Sequence, residues 1–98
     1  MELIFAWDIR KARANLRKHR IGFDEAKTVF NDPLLLTYPD EIHSEFEERF
    51  ISIGYSIQRR LLLVVHTEQV SGDEILIRII SSRRATAAER KTYDDTTA

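Results

Sequence analysis

Two apolar runs, Leu61–Thr67 and Ile75–Ser81, flank the short link Ser71-Gly72-Asp73. No other feature constrains the chain as much. Both runs are rich in leucine, isoleucine and valine, which suit a pleated, extended backbone. The link between them carries the turn chemistry of a hairpin. Leu61–Thr67 is the most apolar stretch and is therefore expected at the centre of a sheet. By strict alternation Leu61, Leu63, Val65 and Thr67 share one face, and Leu62, Val64, His66 and Glu68 share the other. The first set is the better core face, so His66 is expected on the open face, toward the strand's end. Arg78, which alternates with Leu76 and Ile80 on the second strand, is expected on that open face with it.

The rest of the chain adds helices before the hairpin and one after it. Leu3-Ile4-Phe5-Ala6-Trp7 reads as a short strand. Asp8 is placed to cap a helix from Ile9 to His19, with Ile9, Ala12 and Leu16 on an apolar stripe and Arg10, Lys11, Arg17 and Lys18 on the other side. Gly22 precedes a second helix that starts near Phe23 and is stopped by Asp32-Pro33. Strands are expected over Leu34–Tyr38 and Arg49–Tyr55, with an acidic loop over Pro39–Glu47 between them. Arg59-Arg60 lie in or beside a turn. Thr86 and Glu89 have the spacing of a capping box, so a last helix starts at Ala87 and ends near Asp94-Asp95, with residues 96–98 frayed. The order predicts an α+β two-layer domain over residues 1–98: an antiparallel sheet, two N-terminal helices packed on one face, and a short C-terminal helix.

With 98 residues the chain has room for one small domain. It contains no cysteine, which excludes disulfides and thiolate metal sites. No apolar run is long enough to span a bilayer and no signal pattern begins the chain, so a cytoplasmic protein with no membrane association is expected. The net charge of −1 hides a division. Residues 1–20 carry six Lys/Arg against two acids, residues 21–76 four against eleven, and residues 77–98 five against three. If the two basic ends meet in space, they form a face suited to a nucleic-acid backbone; otherwise this is ordinary surface scatter.

Arg83-Arg84 fall between the last strand and the capped helix start. Two guanidiniums beside unpaired helix N–H groups would suit a phosphate. The alternative is a pair of solvated strand-end charges. His66 could transfer protons, since imidazole titrates near neutrality, and Glu68 could orient it or act as a base. The alternative for His66 is a partly buried strand histidine. His19 reads as a helix C-terminal contact, His43 as a solvated loop residue and Trp7 as a core aromatic. Tyr93 either covers the arginines or packs. The three histidines lack ligand spacing, so no metal and no cofactor are expected.

Four blocks resemble the BrnT family, toxins of type II toxin–antitoxin systems. They are Phe5-Ala6-Trp7-Asp8 with Lys11, Asn15 and Lys18-His19; Phe23-Asp24-Glu25-Ala26 through Val29-Phe30 and Asp32-Pro33; His43-Ser44 through Glu48-Arg49-Phe50 and Ile53-Gly54; and His66-Thr67-Glu68 with Arg78 through Thr86 and Glu89-Arg90. The resemblance implies a RelE-like fold and a metal-independent ribonuclease that arrests growth. It also implies neutralisation by a BrnA-like ribbon-helix-helix antitoxin, with operator DNA bound only through that complex. On this reading His66, Glu68, Arg83 and Arg84 are the catalytic candidates, and Lys11, Lys18, Arg78 and Arg90 contact RNA. Two positions depart from the family pattern: Arg20 stands where many relatives have glycine, and Gln69 where many have a basic residue.

Two other readings remain at this point. One is a non-catalytic binding module acting as corepressor with its antitoxin, for which Gln69 and the modest net charge argue. The other is a stand-alone DNA-binding protein, against which the lack of a helix with a base-reading face counts.

Overall fold

The computed structural model describes residues 1–98. In chain order the elements are β1 (Glu2–Trp7), α1 (Ile9–His19), α2 (Phe23–Ala26) continued by a 3-10 turn (Lys27–Asn31), β2 (Leu36–Pro39), β3 (Phe50–Tyr55), β4 (Leu61–Ser71), β5 (Glu74–Arg84) and α3 (Ala87–Thr97). The expected hairpin forms its spine. β4 and β5 pair antiparallel and turn at Gly72, whose φ of +59° is a left-handed conformation open to glycine at no steric cost. The sheet order is β1-β5-β4-β3-β2. It is not wholly antiparallel, because β1 runs parallel to β5 and closes that edge.

The expected assignment of β4 faces is reversed. Leu62 and Val64 join Ile77, Ile79, Ile21, Phe23, Ala26 and Val29 in the core beneath the N-terminal helical layer. His66 lies on that same side. Leu61 and Leu63 pack with Ile53 and Tyr93 in a second, smaller cluster, so α3 shields one end of the face expected to carry the main core. Both faces of β4 are therefore buried near its start, and alternation alone could not rank them. A register shift between Val65 and His66 leaves Ile80 as an extra residue on β5, and such a bulge re-aims the residues that follow it.

The helix caps are where the sequence placed them. The Asp8 carboxylate accepts from the N–H groups of Arg10 and Lys11, and Thr86 and Glu89 form both halves of the capping box. Helix α3 continues to Thr97, past the expected end at Asp94-Asp95.

The α1 stripe differs from expectation. Ile9 and Leu16 are exposed, and the buried residue is Asn15. Helix α1 lies against β5 beyond the point where β1 stops, opposite Ile79. There the edge of β5 has lost its strand partner. The Asn15 side chain replaces it, donating to the Ser82 carbonyl at 2.9 Å and accepting from the Ser82 N–H at 3.0 Å. It also donates to the Ile21 carbonyl at 2.9 Å, which ties the α1–α2 link to the sheet.

Two further polar ties hold the layers together. Glu25 is buried and receives the Arg60 guanidinium and the Ser56 hydroxyl, joining α2 to the β3–β4 turn. The Arg60 hydrogen bond leads in lowering the Glu25 pKa against the opposing effect of burial. Asp32 accepts from the Tyr55 and Leu34 N–H groups and from the Tyr93 hydroxyl. Burial alone would raise its pKa, but these bonds outweigh it and the pKa is lowered. Gly54 is required here: a Cβ would meet the Leu35 side chain at 2.8 Å and the Val29 carbonyl at 3.2 Å.

Candidate active site

The half of the sheet face left open by α3 forms a groove of about 430 Å³. The open-face positions Ile51, Leu63 and Val65 give it an apolar floor. Tyr38 enters from β2, Arg83 from β5, Glu89 from α3, and Lys18 and His19 from the end of α1. The β2–β3 loop supplies Asp40 and His43. That loop is closed on itself. The Asp40 N–H donates to the Arg49 carbonyl at 2.8 Å, the Ser44 hydroxyl donates to the Asp40 carbonyl, and the Arg49 N–H donates to Ser44 Oγ at 3.0 Å. His43 Nδ1 lies 3.1 and 3.2 Å from the two Asp40 carboxylate oxygens.

The arginine pair is split by strand alternation. Both residues belong to β5, with Arg83 opposite Leu63 and Arg84 opposite Leu62. They therefore point to opposite sheet faces, and they do not form one anion site. Arg83 faces the groove. Arg84 lies on the helix-layer side, where its charge helps lower the Glu25 pKa. The anion at the Arg83 fork is the chain's own Glu89, held at 2.7 and 2.9 Å. Glu89 Oε1 also accepts from the Thr86 N–H at 2.8 Å. The Arg83 bonds, reinforced by the cap, keep the Glu89 carboxyl below its usual range. Tyr38, partly buried nearby and close to the Glu89 charge, has a raised phenol pKa.

His66 does not lie on the open face. It has 0% exposure and packs edge-on against Phe30 and stacked with Phe50. Its Nε2 is 2.7 Å from the Ser52 hydroxyl, which continues to Thr37 Oγ1 at 2.7 Å. Burial lowers its pKa to about 4. Glu68 lies 3.9 Å from the buried Nδ1, and its own pKa is raised by burial and by Glu48. In this arrangement neither side chain lines the groove, and a ribose could not reach His66 without opening the core.

The RNA-binding candidates are dispersed. Lys18 lines the groove, and Lys11 lines a neighbouring depression with Ile80 and Ser81. Arg78 is on the open face, as expected, and is paired with Glu47 of the β2–β3 loop. It lies on the opposite side of the sheet from His66. Arg90 donates to the Tyr55 hydroxyl at 3.1 Å. Trp7 packs against Phe23 and Tyr93 packs in the smaller core cluster.

Sequence reasoning gave His43 no functional weight and left out Tyr38 and Asp40. Two signals were available for the loop pair: the Asp-x-x-His spacing of Asp40 and His43, and the place of His43-Ser44 among the family-like blocks. No group of three or more His, Asp or Glu side chains is arranged to hold a metal ion. No helix is long and apolar enough to cross a membrane.

The family described as "Ribonuclease toxin, BrnT, of type II toxin-antitoxin system" matches residues 7–89. Comparison with curated proteins gives no match. Among solved structures, the crystal structure of the Brucella abortus ribonuclease toxin BrnT is similar in fold. Its TM-score is 0.61 at 22% identity, and the match covers 88% of this chain and 99% of that one. The match over residues 7–89 spans most of the sequence and includes β2–β5 and the start of α3, and on it the chain belongs to the BrnT family of type II toxin–antitoxin ribonuclease toxins.

Proposed function

We propose that this chain cleaves RNA in the open-face groove without a metal ion, in the cytoplasm, and that the cleavage arrests growth. The observation that carries this reading is the position of Arg83, a bidentate guanidinium in a groove that also holds Lys18 and two histidines. A metal-independent ribonuclease needs a base for the 2′-hydroxyl, a proton for the leaving 5′ oxygen and cations for the crowded phosphate. The groove holds side chains suited to each task. Arg83 and Lys18 take the phosphate in the groove, while Arg78, Lys11 and Arg90 offer separate backbone contacts outside it. In this scheme His66 and Arg84 support the fold and Glu68 lies beside His66, since none of the three lines the groove.

Its partner is proposed to be a BrnA-like ribbon-helix-helix antitoxin that covers the groove and the basic face, with operator DNA bound through the complex. Ile42 and Phe46 on the β2–β3 loop are almost fully exposed, and Ile42 lies on the groove's rim. An amphipathic, acidic antitoxin segment would find there both an apolar anchor and cations. Amide protection on complex formation tests this. Protection is expected around residues 40–49 and 78–84, and its absence from both would count against occlusion of the groove.

The purified chain, free of antitoxin, should degrade RNA in EDTA and leave 2′,3′-cyclic or 3′-phosphate and 5′-hydroxyl ends. Strict dependence on added Mg²⁺ would overturn the mechanism. Arg83→Gln should abolish growth arrest with the fold intact, whereas Arg84→Gln should act mainly on stability. Undiminished toxicity in Arg83→Gln would remove the groove from the reaction. The corepressor reading predicts no growth arrest when the chain is expressed alone.

A further inference from the structure

We infer that His43, held through Nδ1 by the Asp40 carboxylate, is the proton acceptor for RNA cleavage in the open-face groove. The inference rests on the ribonuclease reading above and assigns it a residue.

Three histidines are available, and their surroundings separate them. His66 is sealed in the core and bonded to Ser52. His19 lines the groove at the end of α1 but has no side-chain partner to fix its ring. His43 has both access and an orienting group. Its side chain is 66% exposed, whereas that of Asp40 is only 8% exposed. A nearly buried carboxylate beside an exposed imidazole fixes the ring's tautomer and direction. With Nδ1–H donated to Asp40, Nε2 carries the free lone pair.

The carboxylate is itself held in place. Asp40 follows β2 directly, its N–H and carbonyl are both bonded within the closed β2–β3 loop, and Glu47 of that loop is tied to Arg78 on β5. The charged and titratable groups that share a pocket with His43 come from several elements: Lys18 and His19 from α1, Tyr38 from β2, Arg83 from β5, Glu89 from α3, and Asp40, Glu45, Glu47 and Arg49 from the β2–β3 segment. Such a setting puts a base and phosphate-binding cations in one groove.

The step balances as a transesterification. Nε2 of His43 takes the proton from the ribose 2′-hydroxyl. The 2′ oxygen forms a bond to phosphorus, and the bond from phosphorus to the 5′ oxygen breaks. The leaving 5′ oxygen takes a proton from water, and the hydroxide so formed is neutralised by the proton on His43. The products are a 2′,3′-cyclic phosphate and a 5′-hydroxyl. Arg83 and Lys18 stabilise charge on the non-bridging oxygens. Asp40 touches no reacting atom and is a positioning residue.

The test uses the full chain in EDTA with a short RNA that it cleaves. His43→Gly should lower kcat by about 10²–10⁴-fold. Binding of the same RNA with a 2′-deoxy scissile nucleotide should be little changed. Added imidazole should restore part of the lost rate in His43→Gly and have no effect on wild type. Asp40→Asn should lower kcat more than it raises KM, and it should cost little further in the His43→Gly background. Because His43 is exposed, its removal leaves the fold intact, and the imidazole response separates a chemical role from a structural one. His43→Gly cleaving as fast as wild type, or a slowed variant that imidazole cannot rescue, would overturn the assignment while leaving the ribonuclease reading in place. Wild type that does not cleave RNA would overturn both.

Discussion

The guanidinium of Arg83 lies fork to fork on the carboxylate of Glu89, at 2.7 and 2.9 Å. The same carboxylate caps α3 through the Thr86 N–H. One acidic side chain therefore satisfies a helix start and occupies the cation that the groove would offer to a phosphate. RNA binding at Arg83 must compete with this pair.

Glu89→Gln separates the two roles. Glutamine keeps an acceptor for the Thr86 N–H, so the capping box survives. It removes the charge that holds Arg83. Because the pair is partly exposed, solvent screens it, and RNA affinity should rise only about threefold. Filter binding or fluorescence polarisation with an uncleavable RNA would measure this. Unchanged or weaker binding would mean that Arg83 does not take the phosphate, or that Glu89 is needed to aim it.

Asn15 stands in for a missing strand at Ser82, and its removal should cost far more than its single side chain suggests. Asn15→Ala leaves the buried Ser82 N–H and carbonyl without their partner. Each such group costs about 1–3 kcal/mol, so a loss of about 3 kcal/mol is expected. Asn15→Asp should be no better. It could still accept from the N–H but would face two carbonyls, those of Ser82 and Ile21, with no donor. The midpoint of urea unfolding measures both, and a shift worth less than about 1 kcal/mol in Asn15→Ala would show that water replaces the amide.

These examples show why local features were legible and others were not. The caps at Asp8 and Thr86 and the turn at Gly72 depend on a few adjacent residues, so sequence sufficed. The α1 stripe misled because apolar spacing cannot reveal that a helix covers the end of a strand, where the need is for an amide. The buried face of β4 was misjudged because Leu61–Val64 are buried on both sides. Of the groove's side chains, Arg83 was legible as a charge beside a capped helix start and Lys18 as one on the basic side of α1. The separation of Arg83 from Arg84 follows from β5 extending through both residues, beyond the expected end at Ser81. His43 depended on a loop closing onto the sheet, a long-range event that neither its three-residue spacing from Asp40 nor its place in a family-like block could locate in space.

Arg20 caps α1 at φ 60°, ψ 27°. In this left-handed conformation a side chain costs about 1 kcal/mol relative to glycine. Arg20→Gly should therefore raise stability by about 1 kcal/mol, worth about 4–8 °C in Tm for a domain of this size. Arg20→Ala retains a Cβ and should gain little, which makes it the control. Equal gains in both variants would trace the effect to charge rather than to backbone strain. Arg59, at φ 62° in the β3–β4 turn, should respond to glycine in the same direction.

His66 should make stability depend on pH in a window above that of the lowered carboxylates. Burial lowers its pKa from 6.5 to about 4. In the unfolded chain the imidazole takes up a proton near pH 6.5, whereas in the folded protein it resists until about pH 4. The unfolded state thus binds more protons between these values, and stability rises with pH there. The contribution is fully present above pH 6.5 and is lost progressively as pH falls to about 4, by about 3 kcal/mol in total. The lowered carboxyls of Glu25 and Glu89 act in the same direction but mainly below the ordinary carboxylate range. His66→Leu keeps the side chain's bulk and removes its proton site. Although the variant loses the Ser52 bond and starts from a lower stability, its unfolding free energy should not fall from pH 6.5 to 4.5, where wild type declines; the raised Glu68 carboxyl, which binds its proton more readily in the folded state, acts there in the opposite sense. Denaturant titrations at several pH values would show this, and parallel declines in the two proteins would mean that some other group carries the pH dependence.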